Sequence, residues 1–272
     1  MRLTVLGSGS RGNAVLIESD GEALLVDAGF SHRELGRRAA AAGADLGLVR
    51  AIALTHEHGD HARGAARAAA AWQVPVAASA GTLDALAHRL SPSTGRHVLP
   101  PSRPVTLGAF RLTAYPTAHD AAEPVVLVVE DAGGRRVGIA CDVGSPTTAL
   151  RLACRGLDAL VIEANHDEVL LRGSDYPATL RARIAGRAGH LSNGQAAALV
   201  AEVLHAGLGV VVLAHLSDRC NRADLALAAM EAALRPRGFT GRLVVAAQDV
   251  PTTPLDVGTA PAQFALPLGG AR

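Results

Sequence analysis

The sequence is poor in cysteine, in aromatic residues and in net charge. Its 272 residues include three Cys and no Lys, aromatic residues make up 3%, and 26 basic against 25 acidic residues leave a formal net charge of +1. Three Cys without a CxxC pair exclude a disulfide scaffold and a cysteine-rich zinc finger. The balanced charge gives no sign of a nucleic-acid partner, because such domains usually carry a basic excess.

Long apolar runs are also lacking. No uninterrupted run approaches the ~18 residues that a membrane span requires, and the first residues enter a strand pattern without the charged and apolar regions of a signal peptide. We therefore expect a cytoplasmic protein with no membrane span. Hydrophobic residues make up 49% of the chain, which is ample for a buried core.

Short apolar runs alternate with amphipathic stretches rich in Ala, Leu and Arg for nearly the whole length, which predicts an α/β protein. From Pro100 to Ala140 strand patterns follow one another without helices, which predicts antiparallel hairpins. The pattern predicts two packed sheets with helices outside, in a single domain over residues 1–250, followed by an irregular C-terminal extension over residues 251–272. The predicted strands are Leu3–Gly7, Ala14–Glu18, Ala23–Asp27, Ala51–Thr55, Val74–Ala78, Phe110–Ala114, Val125–Glu130, Arg136–Ala140, Ala159–Glu163, Val210–Ala214 and Leu243–Ala247. The predicted helices are Ser31–Ala42, His61–Trp72, Thr82–Leu90, Pro146–Arg155, Ala178–Ile184, Asn193–Ala206 and Arg222–Leu234.

The strongest local signal is the stretch His-Glu-His-Gly-Asp-His between a predicted strand and a predicted helix. In extended backbone His56 and His58 project to the same side, and the turn into the helix presents Asp60 and His61 from another direction. Any one His is more often a residue that satisfies a local hydrogen bond. Three imidazoles and one carboxylate within six positions favour a pair of divalent ions.

Later strands end on further ligand types. His119, Asp142 and His215 each follow a predicted strand. Each one alone is more typical of a turn or a cap than of a metal ligand. Together they are expected to converge on one edge of the sheet, where α/β architectures bind ligands.

The stretch from His56 to His61 resembles the HxHxDH signature of the metallo-β-lactamase-fold hydrolases, and His119, Asp142 and His215 are similar to the later metal-binding motifs of that family. The resemblance implies a four-layer αβ/βα sandwich of two mixed β-sheets flanked by helices. It also implies two divalent metal ions, Mn²⁺ or Zn²⁺. One ion would be held by His56, His58 and His119, the other by Asp60, His61 and His215, with Asp142 bridging.

Four further segments resemble the YycJ/WalJ nuclease branch of that superfamily, which is related to tRNase Z and RNase J. They are Gly7–Asn13, Glu163–Asp167, Gly189–Asn193 and His215–Ser217. The resemblance implies a metal-dependent nuclease acting on DNA, as a 5′-to-3′ exonuclease on double-stranded DNA with a role in repair. Cys141 departs from the Thr expected beside the bridging carboxylate, and Cys220 departs from a paired Asn.

Within this resemblance Asp60 would orient the attacking water, His190 would be the general acid, and Glu163 would hold the tautomer of His190. The alternative for His190 is a residue that only begins the helix after it. The substrate contacts are expected to be Ser8, Ser10, Arg11, His166 and Asn193, although the glycine-rich loop could also be only a tight hairpin. The basic residues Arg172, Arg181, Arg183 and Arg187 form either a track for backbone phosphates or a solvated helix face.

Three other functions remain open at this stage. An RNA-processing phosphodiesterase of the tRNase Z type, or a hydrolase of small thioesters or lactones, would use the same ions. A non-catalytic scaffold with this fold would be expected to lack ligands, whereas all the expected ligand positions and His190 are filled.

Overall fold

The computed structural model describes residues 1–258, and these form two seven-stranded sheets flanked by helices. The strands are β1 Arg2–Gly7, β2 Ala14–Ser19, β3 Glu22–Val26, β4 Val49–Ala53, β5 Val76–Ala78, β6 Arg96–Val98, β7 Val105–Leu107, β8 Phe110–Pro116, β9 Val125–Asp131, β10 Arg136–Ala140, β11 Ala159–Glu163, β12 Val210–Ala214, β13 Arg242–Val245 and β14 Leu255–Asp256. The helices are α1 His32–Ala42, α2 Gly59–Ala62, α3 Ala65–Trp72, α4 Ala80–Ala85, α5 Thr148–Ala153, α6 Glu168–Gly173, α7 Ala178–Ile184, α8 Asn193–Val203 and α9 Ala223–Leu234.

Both sheets are mixed. The first has the order β14-β1-β2-β3-β4-β5-β6, antiparallel as far as β3 and parallel from β3 to β6. The second has the order β13-β12-β11-β10-β9-β8-β7, parallel from β13 to β10 and antiparallel from β10 to β7. The antiparallel hairpins expected between residues 100 and 140 are therefore confirmed.

Most strands are buried on both faces, which explains their continuous apolar runs. In β9 the side chains of Leu127 and Val129 lie in the core between the two sheets, whereas Val126 and Val128 pack under the helices on the outer face. Helices α1 and α3 cover the outer face of the first sheet, and α8 and α9 cover that of the second. The predicted αβ/βα sandwich is confirmed.

Three strands that the sequence pattern did not predict all lie at sheet edges. Strands β6 and β7 end the two sheets on one side, and β14 ends the first sheet on the other. Each has two or three residues, and all of β6 is exposed. A strand of two or three residues is too short to show an apolar periodicity, even where one of its residues is buried, as Leu107 and Leu255 are.

The prediction of an irregular extension from residue 251 is wrong for its first part. Leu255 pairs with Leu3 of β1, and Leu255 and Val257 are each 1% exposed. Two residues are too few for a periodic pattern, and their pairing partner lies at the opposite end of the chain. Residues 259–272 lie outside the described part of the chain.

The helix predicted over His61–Trp72 is divided into α2 and α3 at Gly64. The Gly64 N–H donates to the Ala28 carbonyl at 2.8 Å, and a Cβ at this position would lie 1.9 Å from the Phe30 carbonyl oxygen. Only glycine permits this close backbone approach, which interrupts the helix shortly after Asp60 and His61. Among the described helices, none has the length and hydropathy of a membrane span.

Candidate metal centre

The ligand-type residues meet at one edge of the two sheets, where strands end. Asp142 follows β10 and His215 follows β12, and both have left-handed backbone with φ of 54° and 53°. Such a conformation is costly for a residue other than glycine and is maintained where the surroundings require it. The sharp turn brings each side chain back over the strand ends.

Three groups of potential ligand atoms share Asp142, and two of them, called here the two ligand clusters, contain the predicted metal ligands. One consists of His56, His58, His119 and Asp142, and the other of Asp60, His61, Asp142 and His215, with the ligand atoms of each cluster within 4.8 Å of one another. Oδ2 of Asp142 lies 3.1 Å from Nε2 of His56 and 3.0 Å from Nε2 of His61. The structure thus brings all seven predicted ligands together in two groups that could hold metal ions.

Four of the imidazoles are held at Nδ1 by the protein, which leaves Nε2 for the site. The partners of Nδ1 are Thr55 Oγ1 for His56 at 3.0 Å, Asp27 Oδ2 for His61 at 2.7 Å, the Gly189 carbonyl for His119 at 3.1 Å, and Glu163 Oε1 for His215 at 2.8 Å. Outer hydrogen bonds of this kind fix the ring orientation and the tautomer of histidines that bind metals.

Buried nitrogen and oxygen atoms that make no hydrogen bond indicate whether the side chains of this site fit metal ions. Nε2 of His56, Nε2 of His215 and Oδ1 of Asp142 are buried and make no hydrogen bond of good geometry in residues 1–258, although each has an oppositely charged neighbour within 3.5 Å. A buried polar group without a partner is costly, so these atoms indicate a missing ligand. The donors are nitrogen and oxygen, which suit Zn²⁺ or Mn²⁺. The neighbouring Cys141 belongs to none of the groups of ligand atoms, and burial raises the pKa of its thiol to about 12.

The histidines and the carboxylates of this site shift one another's pKa values strongly. Burial alone would lower the pKa of His61 and His215. Asp27 and Asp142 nevertheless raise the pKa of His61 well above the ordinary value, and Asp142, Asp60 and Glu163 do the same for His215. Burial would likewise raise the pKa of Asp60, but His215 and His61 hold it below its usual range. The carboxylates of Asp60 and Asp142 are therefore charged, and the imidazoles of His61 and His215 carry protons that a metal ion would displace.

Glu163 joins the cluster to His190. Its buried Oε1 lies 2.7 Å from Nδ1 of His190 and 2.8 Å from Nδ1 of His215, while Oε2 accepts the Val143 N–H at 2.9 Å. Burial would lower the pKa of His190, but Glu163 and Asp142 raise it to about 9. Against the effect of burial, the same two histidines lower the pKa of Glu163 to about 2. The predicted contact between Glu163 and His190 is present.

Two residues that sequence reasoning missed support the centre. Asp27 has φ of 60°, is buried, and accepts from the N–H and the hydroxyl of Thr55 besides contacting His61. Asn13 donates to Oδ2 of Asp60 at 3.4 Å and lies 3.0 Å from Nε2 of His61. Asp27 stands at the end of a strand, the same signal that singled out Asp142, and could have been found.

Two of the expected substrate contacts have other partners. Ser8 is buried, donates to Oδ1 of Asn13 at 2.8 Å and accepts the His215 N–H at 2.8 Å. Asn193 is also buried, and its amide exchanges hydrogen bonds with the amide of Asn221 at 2.9 and 2.8 Å. These side chains position the backbone around the centre, and neither is available to a substrate in this arrangement.

Other expected contacts line two open cavities beside the centre. The first, of about 680 Å³, adjoins Asp60 and is lined by Ser10, Arg11, Gly59, Asp60, Arg63 and Arg89. The second, of about 410 Å³, includes His166, Arg172 and Arg181 in its lining. Arg63 and Arg89 were missed, since neither belongs to a motif. Arg183 instead pairs with Asp120 at the surface, at 2.9 Å.

One protein-family model matches most of the chain. The model of the metallo-beta-lactamase superfamily matches residues 7–190. The chain belongs to the metallo-beta-lactamase superfamily. The resemblance derived from the motifs is therefore confirmed, and this superfamily member also has relatives along nearly its whole length.

Two curated proteins are similar in sequence. The chain is 31% identical over 241 residues to Exodeoxyribonuclease YycJ of Bacillus anthracis, covering 88% of this chain and 91% of that protein. It is 29% identical over 231 residues to Exodeoxyribonuclease WalJ of Streptococcus pneumoniae, covering 83% and 85% of the two chains.

A solved structure supports the fold. The metallo-beta-lactamase fold protein YhfI from Bacillus subtilis superimposes with a TM-score of 0.69 at 20% identity, covering 92% of this chain and 98% of that chain. At that identity the likeness concerns the fold alone.

Proposed function

We propose that this superfamily member is a metal-dependent exodeoxyribonuclease that hydrolyses phosphodiester bonds of DNA, with 5′-to-3′ polarity on double strands. The observation that supports a hydrolase with two metal ions is that Asp142 belongs to both ligand clusters. The proposal of DNA as substrate is supported by the two exodeoxyribonucleases that are similar over most of both chains. The proposed ligands of one Mn²⁺ or Zn²⁺ ion are His56, His58 and His119, those of the other are Asp60, His61 and His215, and Asp142 is shared.

When bound, two divalent ions acidify a water molecule and neutralise charge on phosphoryl oxygens. The side chains around Asp60 hold its carboxylate in a fixed orientation. Asn13 and His61 hold the Asp60 carboxylate from one side and His215 from the other, at 3.4 to 3.5 Å. Asp60 is thereby positioned to accept a hydrogen bond from a water at the centre and to fix its direction of attack.

His190 is the proposed general acid for the leaving oxygen. Its Nδ1–H donates to Glu163, so Nε2 is the nitrogen left to face a substrate, and the side chain is 22% exposed. Glu163 raises its pKa to about 9, so that the imidazolium is present at neutral pH. A protonated, oriented imidazole can donate to a leaving alkoxide and then accept the proton again from water.

The surface next to Asp60 favours a polyanion. Arg11, Arg63 and Arg89 line the cavity that opens there. Arg63 is fixed because its guanidinium donates to the carbonyls of Arg11 and Gly29. The Arg11 guanidinium is paired with Asp249 at 2.7 Å, so Arg63 and Arg89 are the groups at this edge that can neutralise backbone phosphates, even though the chain as a whole is nearly uncharged.

The test is a comparison of metal-quantified wild-type protein on end-labelled duplex DNA, single-stranded DNA and RNA of one sequence, with Mn²⁺, Zn²⁺ or excess EDTA. We expect mononucleotide release from duplex DNA that EDTA abolishes and that Asp60→Asn reduces by at least about a hundredfold. Asp84→Asn, on an exposed carboxylate of α4, is the matched control and should keep full activity.

Other outcomes would contradict the proposal. Faster cleavage of RNA than of DNA would favour the tRNase Z type of activity. Turnover of a thioester or lactone without any nuclease activity would favour the small-molecule hydrolase. DNA cleavage that persists in EDTA, or in the Asp60→Asn protein, would exclude the metal-dependent mechanism.

A further inference from the structure

The glycine-rich loop between β1 and β2, residues 7–13, packs against two buried polar side chains, those of Arg38 and Gln248. A Cβ on Gly7 would lie 2.3 Å from Nη1 of Arg38, and a Cβ on Gly9 would lie 2.6 Å from Oε1 of Gln248. Arg38 is 4% exposed and Gln248 is 9% exposed. Glycine at these two positions therefore allows the loop to lie directly on Arg38 and Gln248.

The side-chain amide of Gln248 binds the loop backbone through both its oxygen and its nitrogen. Oε1 accepts the Arg11 N–H at 2.7 Å, and Nε2 donates to the Gly12 carbonyl at 3.0 Å. The Gly12 N–H in turn donates to the Gly9 carbonyl at 3.0 Å. Gln248 is 237 residues from Arg11 in the chain. One side chain from the segment after β13 thus fixes the backbone of a loop near the start of the chain.

Arg38 of α1 holds Gln248 in place. Its Nη1 donates to the Gln248 carbonyl at 2.8 Å and to the Leu6 carbonyl at 3.0 Å. Its Nε donates to Oε1 of Glu34 at 2.7 Å, and its guanidinium carbon lies 3.9 Å from the centroid of the Phe30 ring. A guanidinium that is paired with a carboxylate and stacked on an aromatic face has little freedom to move. The backbone of Gln248 is therefore fixed to the end of β1.

The last residue of the loop contacts Asp60. Oδ1 of Asn13 accepts the Gly9 N–H at 2.9 Å, and Nδ2 of Asn13 donates to the Gly9 carbonyl at 3.1 Å. The same Nδ2 lies 3.4 Å from Oδ2 of Asp60, and the Asn13 N–H donates to the Asp60 carbonyl at 2.7 Å. A continuous series of hydrogen bonds therefore leads from Gln248 through the loop to the carboxylate of Asp60.

We infer that Gln248 is a positioning residue, which holds the glycine-rich loop so that Asn13 keeps the Asp60 carboxylate in its orientation. The inference rests on the proposed function, in which Asp60 directs the attacking water. Displacement of a reacting group by about 1 Å can reduce turnover a hundredfold. Both side-chain hydrogen bonds of Gln248 within residues 1–258 go to the loop, so replacing Gln248 leaves every proposed metal ligand present.

The test replaces Gln248 by Met, which has nearly the same length and volume and makes neither hydrogen bond. Activity is measured on duplex DNA and on bis-p-nitrophenyl phosphate, a small phosphodiester whose leaving group needs no acid. We expect Gln248→Met to keep its metal content and to lose about tenfold or more in kcat on both substrates, with a smaller change in KM. Gln73→Met makes the same substitution at an exposed residue after α3 and should leave kcat unchanged.

A double-mutant cycle with Asn13→Ala distinguishes positioning from a merely structural role. If Gln248 acts through Asn13, Gln248→Met should lower kcat much less in the Asn13→Ala protein than in the wild type. Reductions in kcat that multiply independently would overturn the inference. A lower stability in urea with unchanged kcat would also overturn it, because Gln248 would then support only the fold.

Hydrogen exchange of the metal-free protein gives a measurement that needs no activity. In Gln248→Met the Arg11 N–H loses its acceptor, so exchange in a peptide spanning residues 7–14 should become about tenfold or more faster, while exchange in β12 stays the same. Unchanged exchange in the loop would overturn the inference. Faster exchange in the loop together with a wild type that cleaves no phosphodiester would contradict the proposed function, but not the hold of Gln248 on the loop.

Discussion

The carboxylate of Asp27 lies 2.7 Å from Nδ1 of His61, and both side chains are buried. The same carboxylate accepts from the Thr55 hydroxyl, whose oxygen is 3.0 Å from Nδ1 of His56. One acidic residue outside the two ligand clusters therefore orients an imidazole in each of them. Because Asp27 is not itself a proposed ligand, its influence on metal binding can be measured without removing a ligand.

We expect Asp27→Asn to weaken metal binding about 10- to 100-fold, because an amide orients the His61 ring less strongly than a carboxylate does. The measurement is a competitive titration of Zn²⁺ or Mn²⁺ against a chromogenic chelator. Asp84→Asn serves as the control. An unchanged affinity in the Asp27→Asn protein would show that His61 needs no support.

Replacing His190 separates acid catalysis from metal binding. We expect His190→Gln to keep its metal content and to lose about 10²- to 10⁴-fold in kcat, since it removes the proton donor. In the wild type the imidazolium is present below its pKa of about 9 and is lost as the pH rises through that value. The wild-type rate should thus fall above pH 9, and this fall should be absent in the variant.

His88→Gln, on an exposed histidine, is the control for His190→Gln. If metal is lost together with activity in His190→Gln, then His190 is a ligand. This outcome has a structural basis, because His190 also lies within reach of Asp142, Glu163 and His215 as a third group of ligand atoms.

The sharing of Asp142 predicts unequal losses of metal. Asp142→Ala removes a ligand from both clusters, so we expect the metal content to fall below one ion per chain. His58→Ala removes a ligand from one cluster only, and one ion should remain. Elemental analysis after gel filtration measures both. Two ions retained by Asp142→Ala would disprove the bridging role.

Metal binding should release protons. In the metal-free protein the pKa values of His61 and His215 are raised well above the ordinary value, so both imidazoles are protonated at neutral pH. A metal ion binds the neutral form, and its apparent affinity should therefore fall as the pH is lowered. Calorimetric titration in two buffers of different ionisation enthalpy gives the number of protons. Equal heats in the two buffers would contradict this prediction.

Gly29 packs so closely against the backbone of Asp60 that no side chain fits at this position. A Cβ there would lie 1.7 Å from the Asp60 carbonyl oxygen, and no flexible side chain can yield to it. We expect Gly29→Ala to lower the free energy of unfolding by about 1–3 kcal/mol and to weaken metal binding. Gly36→Ala is the matched control, because a Cβ in that position of α1 meets nothing within 4 Å and favours the helix. Urea denaturation compares the two.

The layered fold could be predicted because its evidence is local. Strands such as β9 and β12 are buried on both faces, and each therefore contains a run of five apolar residues. The edge strands β6, β7 and β14 could not be predicted in this way, since pairing with one neighbouring strand, rather than a run of buried side chains, defines them. For β6 and β14 that strand is distant in the chain, whereas β7 forms a hairpin with β8. The break at Gly64 depends in the same way on a carbonyl from another segment.

The amino-acid sequence by itself determined the types and spacing of the proposed metal ligands, because His56, His58, Asp60 and His61 lie on one strand-to-helix turn. Only the tertiary structure decided how these ligands are held. Asp27 reaches His61 across 34 residues and Glu163 reaches His215 across 52. The tertiary structure also assigned Ser8 and Asn193 to internal hydrogen bonds and brought Arg11, Arg63 and Arg89 to one cleft. The physical reason is that these contacts are formed by strand order and by sharp turns at strand ends, which no local pattern of residues encodes.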